Sequence, residues 1–298
     1  MTGAPPFVGG PTPVDAAPRL ADALGLPADR LLVKRDDLIG LGGGGNKVRK
    51  LEVTIGDALE AGADVVVTTG APQSNHARLT AAAAARCGLG CVLVLSGHEP
   101  EQRRGNLLLD DLLGAEVVFA GDDDPAAVAA GLAQQRHAHL IPFGGTSARS
   151  AEAYRRAGEE LLEQVPDVGL VVVAVGSGGT MAGLVAALGT ARVLGVATGA
   201  VVDAHDTVAT LLDEMGVSAA GLRVDDGQIG EGYEHLTPAT RDALTLVART
   251  EGVLLDPTYT GRAMAGLVAA ATAGSLPPGR VVFLHTGGLP GLFGHPEF

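Results

Sequence analysis

Short β-branched runs alternate with Ala- and Leu-rich stretches through most of this chain, and that alternation limits the folds open to it. "DVVVTTG" (64–70) reads as a buried strand and "SNHARLTAAAAARCG" (74–88) as a helix. The pairing recurs in "CVLVLSG" with "RRGNLLLDDLLG", and in "AEVVFAG" with "DPAAVAAGLAQQRHA". It resumes in "GLVVVAVGSGGTMAGLVAALG", "RVLGVATG" and "DTVATLLDEMG", and closes with "RAMAGLVAAATAG" and "RVVFLHTGG". Apolar strands joined through helices form parallel sheets covered on both faces. The predicted fold class is therefore α/β, with parallel, open twisted sheets flanked by helices. Ligands of such sheets sit beyond the C-terminal strand ends. The loops TTGAPQSN, GSGGT and HTGG all fall there.

The chain has 298 residues, enough for one large domain or two modest ones. With 46 % hydrophobic and 18 % charged residues it can bury a sizeable core. The 21 basic against 34 acidic residues leave a charge of −13. That balance argues against nucleic acid as a partner, and against an anionic membrane surface. The opening "MTGAPPFVGGPTPVDAAPRL" has neither a basic nor a continuous apolar region, so it does not read as a signal peptide. No apolar run is long enough to span a bilayer. Cys87 and Cys91 cannot build a disulfide framework and read as small, buried, apolar residues. A reduced, cytoplasmic protein is expected.

Three loops carry possible chemistry. In "VVVAVGSGGTMAGL" (171–184) a glycine-rich turn joins a strand to a helix. Convergent N–H groups there would bind a phosphate, with Ser177 and Thr180 adding hydroxyls. A tight turn without a ligand explains the same residues. In "IGLGGGGNKVRKLE" (39–52) four glycines precede Asn46 and Lys47. A nucleotide P-loop needs Gly before the Lys and Ser or Thr after it, so that reading fails. A lysine between a glycine turn and a helix, with Arg49 and Lys50 close by, suits a lowered pKa and a Schiff base. In "TTGAPQSNHARLT" (68–80), Ser74 and Asn75 stand at a helix start, where they either cap it or receive an anion. His76 has no partner at metal-ligand spacing, so no metal is expected.

The stretches "LLVKRDDLIGLGGGGNKVRKLE", "TTGAPQSNHARLTAAAAA", "GSGGTMAGL", "LLDPTYTGRAMAGL" and "FLHTGG" stand in the order found in the 1-aminocyclopropane-1-carboxylate (ACC) deaminase/D-cysteine desulfhydrase family. The chain resembles that family from "GPTPV" at residue 10 to its C-terminus. Its members are pyridoxal 5'-phosphate (PLP) enzymes of the tryptophan-synthase-β-like fold, PLP fold type II. The resemblance implies PLP as cofactor, Lys47 as the Schiff-base lysine, and glycines that let Lys47 approach the ring. Ser74 matches the serine that faces the substrate and its carboxylate. Asn75 matches the residue that bonds the ring 3-hydroxyl. Gly176, Ser177, Gly178, Gly179 and Thr180 match the phosphate cup, and Asn46 joins them at the cofactor. Tyr233 and Tyr259 match two active-site tyrosines. His76 and Tyr259 join Ser74 and Asn75 at the substrate. Thr260 and Thr286 are expected against the cofactor, where the deaminase pattern has Glu and Leu.

The implied reaction is a β-elimination on a small amino acid, first D-cysteine, giving pyruvate, hydrogen sulfide and ammonia. Thr260 and Thr286 match the desulfhydrase branch. Lys47, a tyrosinate or Ser74 would remove the Cα proton. The alternatives are ACC deamination, another PLP reaction on a specialised amino acid, or non-catalytic binding of PLP or an amino acid. "FGGTSARSAEAY" (143–154) and "GYEHLTP" depart from the family pattern near the expected substrate mouth. The resemblance further implies a large PLP-binding domain of residues 1–50 and 160–298, a smaller α/β domain of 51–159, and a homodimer.

Overall fold

The computed structural model describes residues 6–298. Residues 1–5, at the head of the expected large domain, lie outside the described residues. The chain opens with strand β1 (Val14–Ala16), helix α1 (Pro18–Ala23) and strand β2 (Leu31–Arg35). Then come α2 (Lys47–Glu60), β3 (Val65–Gly70), α3 (Asn75–Cys87), β4 (Gly90–Leu95) and α4 (Asn106–Leu112). They are followed by β5 (Glu116–Phe119), α5 (Pro125–Arg136), β6 (His139–Leu140) and α6 (Ala148–Gln164). Next stand β7 (Val168–Val175), α7 (Gly179–Leu188), β8 (Val193–Ala197), α8 (Ala204–Glu214) and β9 (Arg223–Asp225). The last elements are α9 (Pro238–Glu251), α10 (Thr260–Thr272), β10 (Arg280–His285) and α11 (Leu289–Gly294).

Two sheets result. One has six strands in the order β1-β2-β10-β7-β8-β9, the other four in the order β5-β4-β3-β6. Among the described residues the strands pair in parallel except β1 with β2, which is antiparallel and qualifies the all-parallel expectation; an isolated antiparallel bridge joins Gly97 and Gly121. The chain starts in the six-stranded sheet, leaves after β2 to build the four-stranded one, and returns with β7.

Period-two alternation explains why β7 needs cover on both faces. Val171, Val173 and Val175 pack under residues of α6, α7 and α8. Leu170, Val172 and Ala174 pack on the other face with residues of α1, α9 and α10. In the second sheet Val66, Leu93 and Leu95 face α2 and α3, whereas Val67, Val92 and Val94 face α5. Each such side chain contributes about 1.5–3 kcal/mol on burial. Cys91 sits in this core and its thiol is pushed up to about 12 by burial, while Cys87 is half-buried; both are free.

The helices α6 and α9 have no counterpart in the strand–helix alternation read from the sequence. The buried positions of α6 are mostly small ones, among them Ala151, Ala153 and Ala157, and charged residues between them break up any Ala- and Leu-rich run. Among the described residues no helix is long and apolar enough to cross a membrane.

Candidate active site

A cavity of about 430 Å³ opens between the sheets, lined by residues that follow β3, β7, β8 and β10 and by the start of α2. Its size suits a cofactor with a small substrate. Among the described residues it gathers most of the side chains singled out in the sequence.

Lys47 is the first residue of α2, and its Nζ lies 3.5 Å from Ser177 Oγ. Desolvation lowers its pKa to about 8, from 10.5. Lys50, one helical turn on, is fully buried; its Nζ donates to Gly144 O and to Thr146 Oγ1, each at 2.6 Å. Desolvation first, and then the Lys47 charge, lower its pKa as well. Arg49 turns away into a buried network, where its Nε and Nη2 donate to Asp36 and its Nη1 to Glu160 at 2.9 Å. Neither neighbour lowers the Lys47 pKa as expected: burial does that, the contact with Lys50 works against it, and Arg49 belongs to the Asp36–Glu160 network.

The four glycines before Lys47 all have positive φ, from +54° to +131°. A Cβ on Gly44 would come within 2.1 Å of Asp37 O, and one on Gly42 within 2.5 Å of Ala82 Cβ. The run therefore serves close backbone packing against α3 and the loop after β2. The cavity lining begins at Asn46 and Lys47, so the glycines lead the chain to the site and do not line it themselves. The Asn46 backbone N–H donates to Thr286 O, and its side-chain Nδ2 donates to Thr180 Oγ1, both at 3.0 Å.

Ser74 caps α3: its Oγ accepts from Ala77 N–H at 3.1 Å. It also lines the cavity, so the capping role and an exposed hydroxyl coexist. Its own O–H remains free to donate. Asn75 is the first residue of α3, half-buried on the cavity wall. His76 is buried, and its Nε2 and Thr68 Oγ1 lie 2.8 Å apart. Burial, with Lys47 and Lys50 nearby, holds the ring neutral.

Gly178 caps α7 with a left-handed φ of +83°. That turn leads residues 176–180 from β7 into the helix N-terminus, where backbone N–H groups have no helical partner. Ser177 Oγ lies 2.6 Å from Thr146 Oγ1, in a chain that ends on Lys50. A glycine turn at a helix start, with hydroxyls and the N–H donors of the Lys50 amine beside it, fits a phosphate dianion, and the amine of Lys47 fits an aldehyde. The residues present therefore fit PLP.

Tyr233 and Tyr259 meet at the far wall, their hydroxyls 2.6 Å apart and their rings edge to face at 74°. Burial pushes Tyr233 up to about 12. Burial, and then the interaction with Tyr233, push Tyr259 well above its ordinary value. Both stay protonated near neutrality, which disfavours the tyrosinate considered as a base.

Thr286 lines the cavity, but Thr260 does not. Thr260 is fully buried and its hydroxyl donates to Asp256 Oδ1 at 2.7 Å. Asp256 also accepts from the N–H groups of Thr258, Tyr259 and Thr260. Thr260 thus anchors the start of α10 behind the wall on which it was expected.

The 143–154 segment divides. Phe143 and Gly144 line the cavity, whereas Ala148 onward is helix α6, begun by a reciprocal Ser147–Ser150 cap.

Matched against protein families, residues 6–287 fit a family described as pyridoxal-phosphate-dependent enzyme. The chain belongs to that family. This PLP-dependent enzyme is 41 % identical, over 96 % of its length and 92 % of the other's, to a Pyrococcus abyssi protein carrying the provisional name 1-aminocyclopropane-1-carboxylate deaminase. It is 39 % identical to a D-cysteine desulfhydrase of Salmonella typhimurium, over 98 % of its own length and 96 % of that protein. Its fold matches a crystal structure of an ACC deaminase homologue with a TM-score of 0.90 at 36 % identity, covering 99 % of this chain and 94 % of that one. A threonine deaminase of Solanum lycopersicum shares the fold at a TM-score of 0.69 and 19 % identity, over 94 % of this chain and 80 % of that one.

Sequence reasoning named Lys50 only as a neighbour of Lys47 and missed Asp256 and Arg262. The guanidinium of Arg262, buried in α10, donates to the carbonyls of Thr198, Gly232, Tyr233 and His235, and so fixes the loop that carries Tyr233. Its only sequence signal was a charged residue in an otherwise apolar helix.

Proposed function

We propose that this enzyme carries out a β-elimination on a small amino acid, D-cysteine first, giving pyruvate, hydrogen sulfide and ammonia. The observation that carries the reading is the meeting, in one cavity, of a lysine with a lowered pKa, a free serine hydroxyl, a glycine turn at a helix start and a protonated tyrosine pair. PLP, when bound, supplies an electron sink that stabilises negative charge at Cα.

The chain's own groups do the rest. Lys47 would hold the cofactor through Nζ and, once displaced by the substrate amine, take the Cα proton. An amine with a pKa of about 8 is partly neutral near pH 7 and basic enough to accept one. The free Ser74 O–H and the start of α3 would bind the substrate carboxylate. Residues Gly176 to Thr180 would hold the phosphate, and the Asn75 amide the ring oxygen. The Tyr233–Tyr259 pair, kept protonated, suits donation to a leaving group.

The relatives carry both deaminase and desulfhydrase names at similar identity, so the choice between them rests on the site. Asp256, the carboxylate behind Thr260, has both oxygens engaged by four donors. It has little left to protonate a ring nitrogen. Without such a partner the sink is weaker and favours substrates whose β-group leaves easily.

The test is a side-by-side assay of 2-oxo acid release. We expect pyruvate from D-cysteine and little 2-oxobutyrate from 1-aminocyclopropane-1-carboxylate. The reverse pattern would assign the enzyme to the deaminases. The reading also includes a cytoplasmic homodimer, checked by fractionation and by sedimentation.

A further inference from the structure

We propose that Asn106 is a positioning residue that fixes the Asn75 amide with its NH2 group toward the cavity. The inference rests on the reading above, in which Asn75 faces the cofactor ring oxygen.

Backbone groups whose donor or acceptor nature is not in question set each link of a chain. Asn106 opens α4, and its own backbone N–H donates to Gln73 Oε1 at 2.9 Å. That identifies the Gln73 side-chain oxygen. The other end of the same amide, Nε2, donates to Arg104 O at 3.0 Å. The Asn106 side chain then lies against the Gln73 backbone carbonyl at 2.8 Å, so the atom there is the donor Nδ2. The same Nδ2 lies 3.1 Å from Asn75, whose facing atom must therefore be the acceptor, Oδ1. An amide with its oxygen held from behind presents its two N–H donors forward. Here forward is the cavity, which Asn75 lines.

The relay is built into the backbone. Asn106 is fully buried, so its amide cannot exchange partners with water. Gly105 adopts φ +55°, and a Cβ there would meet Gln73 Oε1 at 2.5 Å. A Cβ on Gly294 would meet the same oxygen at 2.0 Å, so α11 closes over the clamp. Close packing of this kind suits an amide that must not flip.

The orientation has a chemical consequence. A donor aimed at the ring oxygen stabilises its anionic form, whereas a flipped amide would oppose it with a carbonyl. The experiment compares holoenzyme variants Asn75→Ala, Asn106→Ala, Asn106→Asp and the double variant Asn75→Ala/Asn106→Ala. The readouts are the visible absorption spectrum across pH and PLP retention on dialysis, with thermal unfolding as the control for folding. Asn106→Ala should move absorption from the longer-wavelength band of the anionic ring oxygen toward the shorter-wavelength band of the neutral one. It should weaken PLP retention about three- to tenfold, the worth of one such bond. In the double variant it should add nothing to the Asn75→Ala change.

A spectrum unmoved by Asn106→Ala, when Asn75→Ala does move it, overturns the inference and leaves the reading of Asn75 intact. A spectrum unmoved by Asn75→Ala overturns that reading, and the inference with it. If Asn106→Ala does not fold, Asn106→Asp, equal in size, decides in the same way: an unchanged spectrum in a folded, PLP-loaded protein overturns the proposal.

Discussion

Lys47 and Lys50 stand one helical turn apart, yet their surroundings separate their tasks. Lys50 spends its protons on Gly144 O and Thr146 Oγ1. Lys47 has one long contact, 3.5 Å to Ser177. Burial lowers both pKa values, so the difference lies in the partners: the amine that is not held by two acceptors is the one that can react. Covalent capture of PLP by the apoprotein should therefore rise with pH to a midpoint near the pKa of about 8, because only the neutral amine attacks the aldehyde. A midpoint near the ordinary 10.5 would refute the desolvation argument. The tyrosine pair gives a second prediction at this scale. Tyr233→Phe leaves the Tyr259 hydroxyl without its 2.6 Å partner. If the pair donates a proton, turnover should fall by roughly 10²-fold or more while the cofactor stays bound. Steady-state kinetics beside the absorption spectrum separate the two effects.

At the scale of elements, the start of α7 is the sharpest case. Gly178 has φ +83°, and a Cβ there would lie 3.1–3.3 Å from Leu211, Thr207 and Val208. Gly178→Val combines a left-handed β-branched residue with crowding, at a cost of about 1–3 kcal/mol. If residues 176–180 hold the phosphate, PLP occupancy after dialysis should drop along with the melting temperature. Full occupancy in the folded variant would count against the cup. Helix α2 shows how one element serves two ends. Asn46 and Lys47 at its start line the cavity, while Arg49 and Glu52 reach outward to Asp36 and to the N–H groups of Phe7 and Val8.

Across the whole molecule, the Arg49 network ties the chain before residue 50 to helix α6, and Tyr154 is its one member from residues 51–159. It links β2 through Lys34, α2 through Arg49, and α6 through Glu160 and Tyr154. We propose the division into residues 1–50 with 160–298, and 51–159, because the strands of each sheet fall within it and this network sits at the seam. Arg49→Ala would strand the fully buried Asp36 charge, and chemical denaturation should show a loss of about 3–5 kcal/mol. Acid should weaken the fold too. Burial holds His76 and His285 below their ordinary 6.5. Such groups stabilise above that value, and the contribution is lost as pH falls, because the unfolded chain takes up protons first. Burial alone would raise Glu160, but bonds from Arg49 and Lys34 outweigh it and hold it low, so its share is lost at still lower pH. Melting temperatures should fall steadily from pH 7 to pH 4; a flat profile would contradict this.

Much of this was legible in the chain itself. Apolar runs of β-branched residues marked the strands β3, β4, β7 and β10, because a parallel strand is buried on both faces and its composition shows it. The glycines before Lys47 and at 176–179 marked backbone that only glycine adopts easily. Family-like motifs pointed to Lys47, Ser74, Asn75 and the tyrosines. Tertiary structure decided what depends on direction and on distant partners. Thr260 and Thr286 look alike in sequence, but one turns behind the wall to Asp256 and the other lines the cavity. Arg49 and Lys50 are neighbours in sequence, but the helical twist of about 100° per residue sends one to the seam and one to the site. Asn106 carries no motif, since its role depends on a backbone carbonyl 33 residues away. Local pattern encodes which backbone a residue can adopt; only the folded chain sets which groups meet there.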